Sequence, residues 1–179
     1  MKLLFENWRE YLNEKKEEKE EESVKILMPP TDLKALRSLI VKDTSTDPDG
    51  KMTFAIEKGK KEKRGTPEEW VKSLPDAVLP HEAIHAMQAR DMPELFAGSL
   101  EGAGALSGGW DETTDKQKEK YFSVPAEIMA FAYDYAANIT SLDASPEETY
   151  EEYEKIGGEV FEKFKKYVEA YKKRLGTDK

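Results

Sequence analysis

The chain has 179 residues, of which 38% are hydrophobic and 36% charged, a composition suited to one soluble core beneath a heavily solvated surface. It has no cysteine, which excludes disulfides, cysteine nucleophiles, thiolate zinc sites and iron–sulfur ligation, and its net charge of −9 argues against nonspecific nucleic-acid binding. No run reaches the ~18 apolar residues of a membrane-spanning helix, and MKLLFENW lacks the apolar stretch of a signal peptide, so no membrane insertion and a cytoplasmic location are expected.

LLFENWREYLNE reads as a short amphipathic helix with Leu4, Trp8, Tyr11 and Leu12 as its apolar stripe. The KKEEKEEE run behind it has nothing to bury, so residues 1–22 are expected to form an N-terminal extension and 23–179 the main domain. After Pro29 and Pro30, TDLKALRSLIV places Leu33, Leu36, Leu39 and Ile40 on one side of a helix. STDPDGK is a turn, and MTFAIEK alternates Met52, Phe54 and Ile56 with Thr53 and Ala55, the period of a strand with one buried face. The basic EKGKKEKRG that follows is read as a solvated turn. TPEEW then opens a helix, because Thr66 can cap it, Pro67 suits its first position and Glu69 can close a capping box; Leu74–Pro75 ends it.

Asp76 or Leu79 begins the next helix, LPHEAIHAMQAR, which holds the only two histidines. The glycine-rich AGSLEGAGALSGGW after it is mostly loop, and VPAEIMAFAYDYAANI is an Ala-rich helix that can approach a neighbour closely. SPEET repeats the capping device with Ser145, Pro146 and Glu148, opening a last helix with Tyr153, Ile156, Val160, Phe164, Tyr167, Val168 and Tyr171 as its buried stripe, interrupted at Gly157–Gly158. The expected fold class is α+β, predominantly α-helical, with a small sheet.

Residues four apart on a helix share a face, so His81 and His85 can present imidazole nitrogens to one ion. Glu82 lies one position round, beside the ion rather than on it. The spacing suits Zn²⁺ held by two neutral nitrogens, with a carboxylate placed to take the proton of the attacking water and pass it to the departing amine. The blander reading is two histidines that fall four apart by chance.

A catalytic zinc needs a third protein ligand, and with no third histidine it must be oxygen. Asp91 would serve if the helix broke near residue 88, but Gln88 stands where such a return would prefer glycine. Glu127, just after Pro125 on the Ala-rich helix, is better placed, since Ala126 and Ala130 permit tight packing; otherwise it is a first-turn glutamate facing the helix dipole. Asp134, two turns further along the same face, can orient a ligand or lie on the surface, and Glu101 in the glycine loop is an outsider.

HEAIHAMQ followed by YFSVPAEIMAFAYDYA resembles the small glutamate-zincin metallopeptidases, in particular predicted peptidases encoded by tailed bacteriophages. LLFENWREYLNE resembles the start of such phage proteins. The resemblance covers residues 81–91 and 121–137 well and the middle of the chain poorly. It implies a minimal zincin-like domain with His81, His85 and Glu127 as zinc ligands and Glu82 as general base; Gln88 matches the pattern without an assigned role. It also implies the host cytoplasm, or the virion, as location. The chain departs from larger members in lacking a downstream NExxSD and any extra histidine for the oxyanion, a role that leaves Tyr121, Tyr133 and Tyr135 open.

A peptide or protein is the expected substrate, aligned along the MTFAIEK strand at 52–58, with the glycine loop as a lid or a plain connection. The competing readings are a noncatalytic module stapled by zinc, which binds a protein partner, and an amidase acting on a cell-wall peptide.

Overall fold

The computed structural model describes residues 24–43, 66–97, 114–140 and 144–177. Eight helices occupy them: α1 (Leu33–Asp43), α2 (Pro67–Ser73), α3 (Leu79–Asp91), α4 (Pro93–Ala97), α5 (Asp115–Phe122), α6 (Pro125–Ala137), α7 (Pro146–Ile156) and α8 (Gly158–Leu175). Local chemistry fixes several starts. Thr66 accepts from the Glu69 amide while Glu69 reaches back to the Thr66 amide, and Ser145 with Glu148 closes the same box. A third box joins Thr114 and Gln117 at the start of α5. The break between α7 and α8 falls where the glycine pair stands: Gly157 and Gly158 have φ of 64° and 56°, conformations that L side chains resist. The single long last helix expected from the apolar stripe is therefore two.

Two cores flank the histidine helix. Leu36 and Ile40 of α1, Val71 of α2 and Leu79, Ala83 and Ala86 of α3 pack together on one side. On the other, Ile84 joins the larger core built from α5, α6, α7 and α8, with Phe122, Ile128, Met129, Phe131, Tyr153 and Phe164 among its buried members. Helix α3 is thus buried on two faces, and α6 is buried at every position from Ala126 to Asp134. The Tyr153 ring stacks on Phe164 at 4.0 Å and meets Phe122 edge-on at 5.1 Å. The extended segment before α1 is tied across this core by Leu27, whose carbonyl accepts from the Tyr171 hydroxyl at 3.0 Å. Arg37 of α1 reaches the carbonyls of Val71 and Leu74 and pairs with Asp76 at 2.6 Å, so Asp76 belongs to the turn before α3 and the helix starts at Leu79.

The small sheet expected from the sequence is corrected: the described residues contain no β-strand. An alternating five-residue apolar pattern makes a strand only where a partner takes up its backbone N–H and C=O groups. No described element offers a strand for that pairing. The segment MTFAIEK itself lies outside the described residues, as do the N-terminal amphipathic helix, the charged run behind it, the basic EKGKKEKRG and the glycine loop from residue 98 with Glu101. Among the described residues, no helix is long and apolar enough to cross a membrane.

Candidate metal centre

The site lies where α3 crosses α6. Pro80 occupies the first turn of α3, where a missing N–H costs nothing, and His81, Glu82 and His85 follow on the turns that face α6. Pro125 does the same for α6, placing Glu127 in its first turn. Val124 and Ala126 meet Ala89 in a small apolar contact, so short side chains let the two helices approach. His81, Glu82, His85 and Glu127 are all buried, with relative exposures of 1%, 3%, 3% and 7%.

The donor atoms converge. His81 Nε2 and His85 Nε2 are 3.1 Å apart, and Glu127 Oε2 lies 3.4 Å from each. The other ring nitrogens are both engaged. His81 Nδ1 is 2.7 Å from Asp134 Oδ2, and His85 Nδ1 is 2.8 Å from Gln88 Oε1. A carboxylate and an amide oxygen only accept, so each Nδ1 carries the hydrogen and each Nε2 presents a lone pair. Two lone pairs and a carboxylate oxygen facing one another repel unless a cation lies among them. The three edges also match the ~3.3–3.4 Å separations of donors held about 2.0–2.1 Å from a tetrahedral zinc. Glu127 Oε2 has no hydrogen-bond partner, and neither has the buried Glu82 Oε2. The donor set therefore fits a divalent ion, and the buried His81–Glu82–x–x–His85 pair with Glu127 is arranged as a zincin-like metal site requires.

In the metal-free protein a proton must supply the missing positive charge. Burial alone would lower both histidines, but Asp134 and Glu127 raise His81 well above its ordinary value, and Glu127 raises His85. Burial would likewise raise Glu127, yet the facing imidazoles outweigh it and hold that carboxyl below the usual range. Glu82 has no such support: burial pushes it up to about 7, with only partial relief from His85 and His81.

Among the alternatives considered for the third donor, Asp91 is not brought to the site. Helix α3 runs unbroken to Asp91, whose exposed carboxylate pairs with Arg90 at 2.7 Å. Asp134 is placed behind His81, and Gln88 behind His85, a role for which i, i+3 spacing on one face was the available signal. Of the three tyrosines, Tyr133 packs on Tyr171 and Tyr135 on Tyr150, whereas the buried Tyr121 phenol faces Glu127; burial and that carboxylate push it well above its ordinary value. Tyr153, whose buried hydroxyl has no partner among the described residues, was missed as a neighbour of the site.

No protein-family model, curated protein or solved structure matches the chain. The functional reading therefore rests on the geometry above and on the residues that form it.

Proposed function

We propose that the protein is a zinc-dependent hydrolase of peptide bonds in which His81, His85 and Glu127 hold the ion and Glu82 acts as general base. One observation carries the reading: two imidazole lone pairs and a carboxylate oxygen converge within 3.4 Å of one another, beside a second buried carboxylate, that of Glu82, whose Oε2 has no hydrogen-bond partner. When bound, Zn²⁺ polarises the scissile carbonyl and makes water a nucleophile at neutral pH. Glu82 is placed next to His81, and burial poises it near neutrality, so it can take a proton from water and return it to the leaving amine. Asp134 and Gln88 hold the two rings in the tautomer that offers Nε2. The resemblance of the two helices to small glutamate-zincins, phage-encoded ones among them, supports a peptide or protein substrate met in the cytoplasm.

Burial of all four side chains favours a second reading, a noncatalytic module in which zinc staples α3 to α6. One experiment separates the two. Zinc-loaded protein is incubated with an unfolded protein and with peptidoglycan peptides, beside Glu82→Gln loaded equally. The hydrolase reading expects cleavage of the unfolded protein, retained zinc in the variant, and a rate loss of ~10²–10⁴-fold, the usual worth of a general base. Wild-type cleavage by Glu82→Gln contradicts the mechanism. Bound zinc with no turnover by either protein selects the staple, and cleavage confined to peptidoglycan selects the amidase.

A further inference from the structure

Gln88 holds the His85 ring, and it also makes a second contact that the proposed reaction does not use. It is fully buried, one turn beyond His85, and its side-chain amide spans two helices. Its Nε2 donates to the Ala126 carbonyl at 2.9 Å, and its Oε1 lies 2.8 Å from His85 Nδ1. The orientation of the amide is settled by chemistry. A backbone carbonyl only accepts, so the NH₂ must face Ala126 and the oxygen must face His85. Ala126 is the residue before Glu127 in the first turn of α6. One side chain therefore touches the ring of one donor and the backbone that carries another.

We infer that Gln88 is a positioning residue: it fixes His85 as the tautomer whose lone pair is on Nε2, and it ties the turn bearing Glu127 to the histidine helix. The inference rests on the reading that His81, His85 and Glu127 hold a divalent ion. It explains why an amide occupies a fully buried position that an apolar residue would otherwise fill. A carboxylate at 88 would still accept from His85 but would repel the Ala126 carbonyl. An apolar residue would serve neither partner. The two histidines are thus held differently, His81 by the anionic Asp134 and His85 by a neutral amide whose second hand is on α6. Losing the amide leaves His85 Nδ1 and the Ala126 carbonyl without this partner, and it removes a side-chain bond that joins α3 to the backbone beside Glu127.

The test has a readout that packing alone does not move. Nitrogen-15 spectra of the zinc-loaded wild-type chain report which ring nitrogen of His85 carries hydrogen. Zinc titrations by calorimetry follow for wild type, Gln88→Met and Gln88→Glu, each first shown to be folded by near-UV circular dichroism. The expected result is a hydrogen on His85 Nδ1 in the wild type. Gln88→Met should lose ~10–100-fold in zinc affinity, the usual worth of a residue behind a ligand, and, in its metal-free form at alkaline pH where the ring is neutral, lose the tautomer preference. Gln88→Glu should keep the tautomer but still bind zinc more weakly, because only the Ala126 bond is gone. A wild-type His85 with hydrogen on Nε2 overturns the inference even if neither variant folds. So does Gln88→Met with wild-type affinity and tautomer. If wild-type protein binds no zinc, the metal reading itself fails, and the wild-type titration shows this without reference to either variant.

Discussion

Glu82 makes the metal-free protein less stable as the pH rises, and Glu82→Gln should remove that dependence. The carboxyl is buried, Oε2 has no partner, and its pKa is pushed from 4.5 to about 7. Between those values the folded chain holds a proton that the unfolded chain has released, so stability falls as pH rises through this window. Below 4.5 the group is protonated in both states and contributes nothing; above about 7 it is ionised in both and the full cost of the buried charge is felt. At ~1.4 kcal/mol per pH unit, the gap amounts to about 3 kcal/mol at pH 8 and about 1 kcal/mol at pH 5. Glutamine has no charge to bury, so the comparison isolates Glu82 together with its coupling to the two imidazoles. Urea unfolding of chelator-treated protein, followed by far-UV circular dichroism across this pH range, gives the comparison. The difference in stability between Glu82→Gln and wild type should grow by about 2 kcal/mol from pH 5 to pH 8. Parallel pH profiles would refute the reasoning, because they would mean that the Glu82 carboxylate is solvated or paired in the folded protein.

Tyr153→Phe keeps the stack on Phe164 and removes a buried hydroxyl without a partner, so it should stabilise the chain by about 1–3 kcal/mol, read as a higher melting temperature. Ser145→Ala loses the capping box of α7 and should cost about 0.5–2 kcal/mol in the same measurement. Zinc uptake near neutral pH should release protons, since the raised histidines must give theirs up; calorimetry in buffers of different ionisation enthalpy would detect the release, and a buffer-independent heat would contradict it.

What the sequence made legible was local. Thr66 with Glu69 and Ser145 with Glu148 announce helix starts because each box closes within four residues, and Thr114 with Gln117 carries the same signature. The His81–His85 pair was legible for the same reason, since helix geometry alone puts both on one face. The sheet was not legible, because alternation in Met52–Ile56 says nothing about whether a pairing partner exists. Choosing Glu127 over Asp91 depends on how α3 docks on α6, which Ala126 and Pro125 only suggest; an unbroken α3 and the Arg90 pair at its end keep Asp91 away from the two histidines. The partners of the histidine rings lay further out of reach. Asp134 sits 53 residues from His81, and the amide of Gln88 gains its meaning only when Ala126 is beside it.

The central claim is that Glu127 completes the metal site. Zinc titration by calorimetry of wild type, Glu127→Ala and Asp91→Ala, all first shown to be folded by near-UV circular dichroism, tests it most directly. Wild type should bind one ion per chain. Glu127→Ala should lose more than about 100-fold in affinity, exceeding the ~10–100-fold worth of residues that merely orient a ligand, while Asp91→Ala binds as wild type does. Absence of saturable one-site binding in the wild type, or a large loss in Asp91→Ala with Glu127→Ala unchanged, would contradict the account.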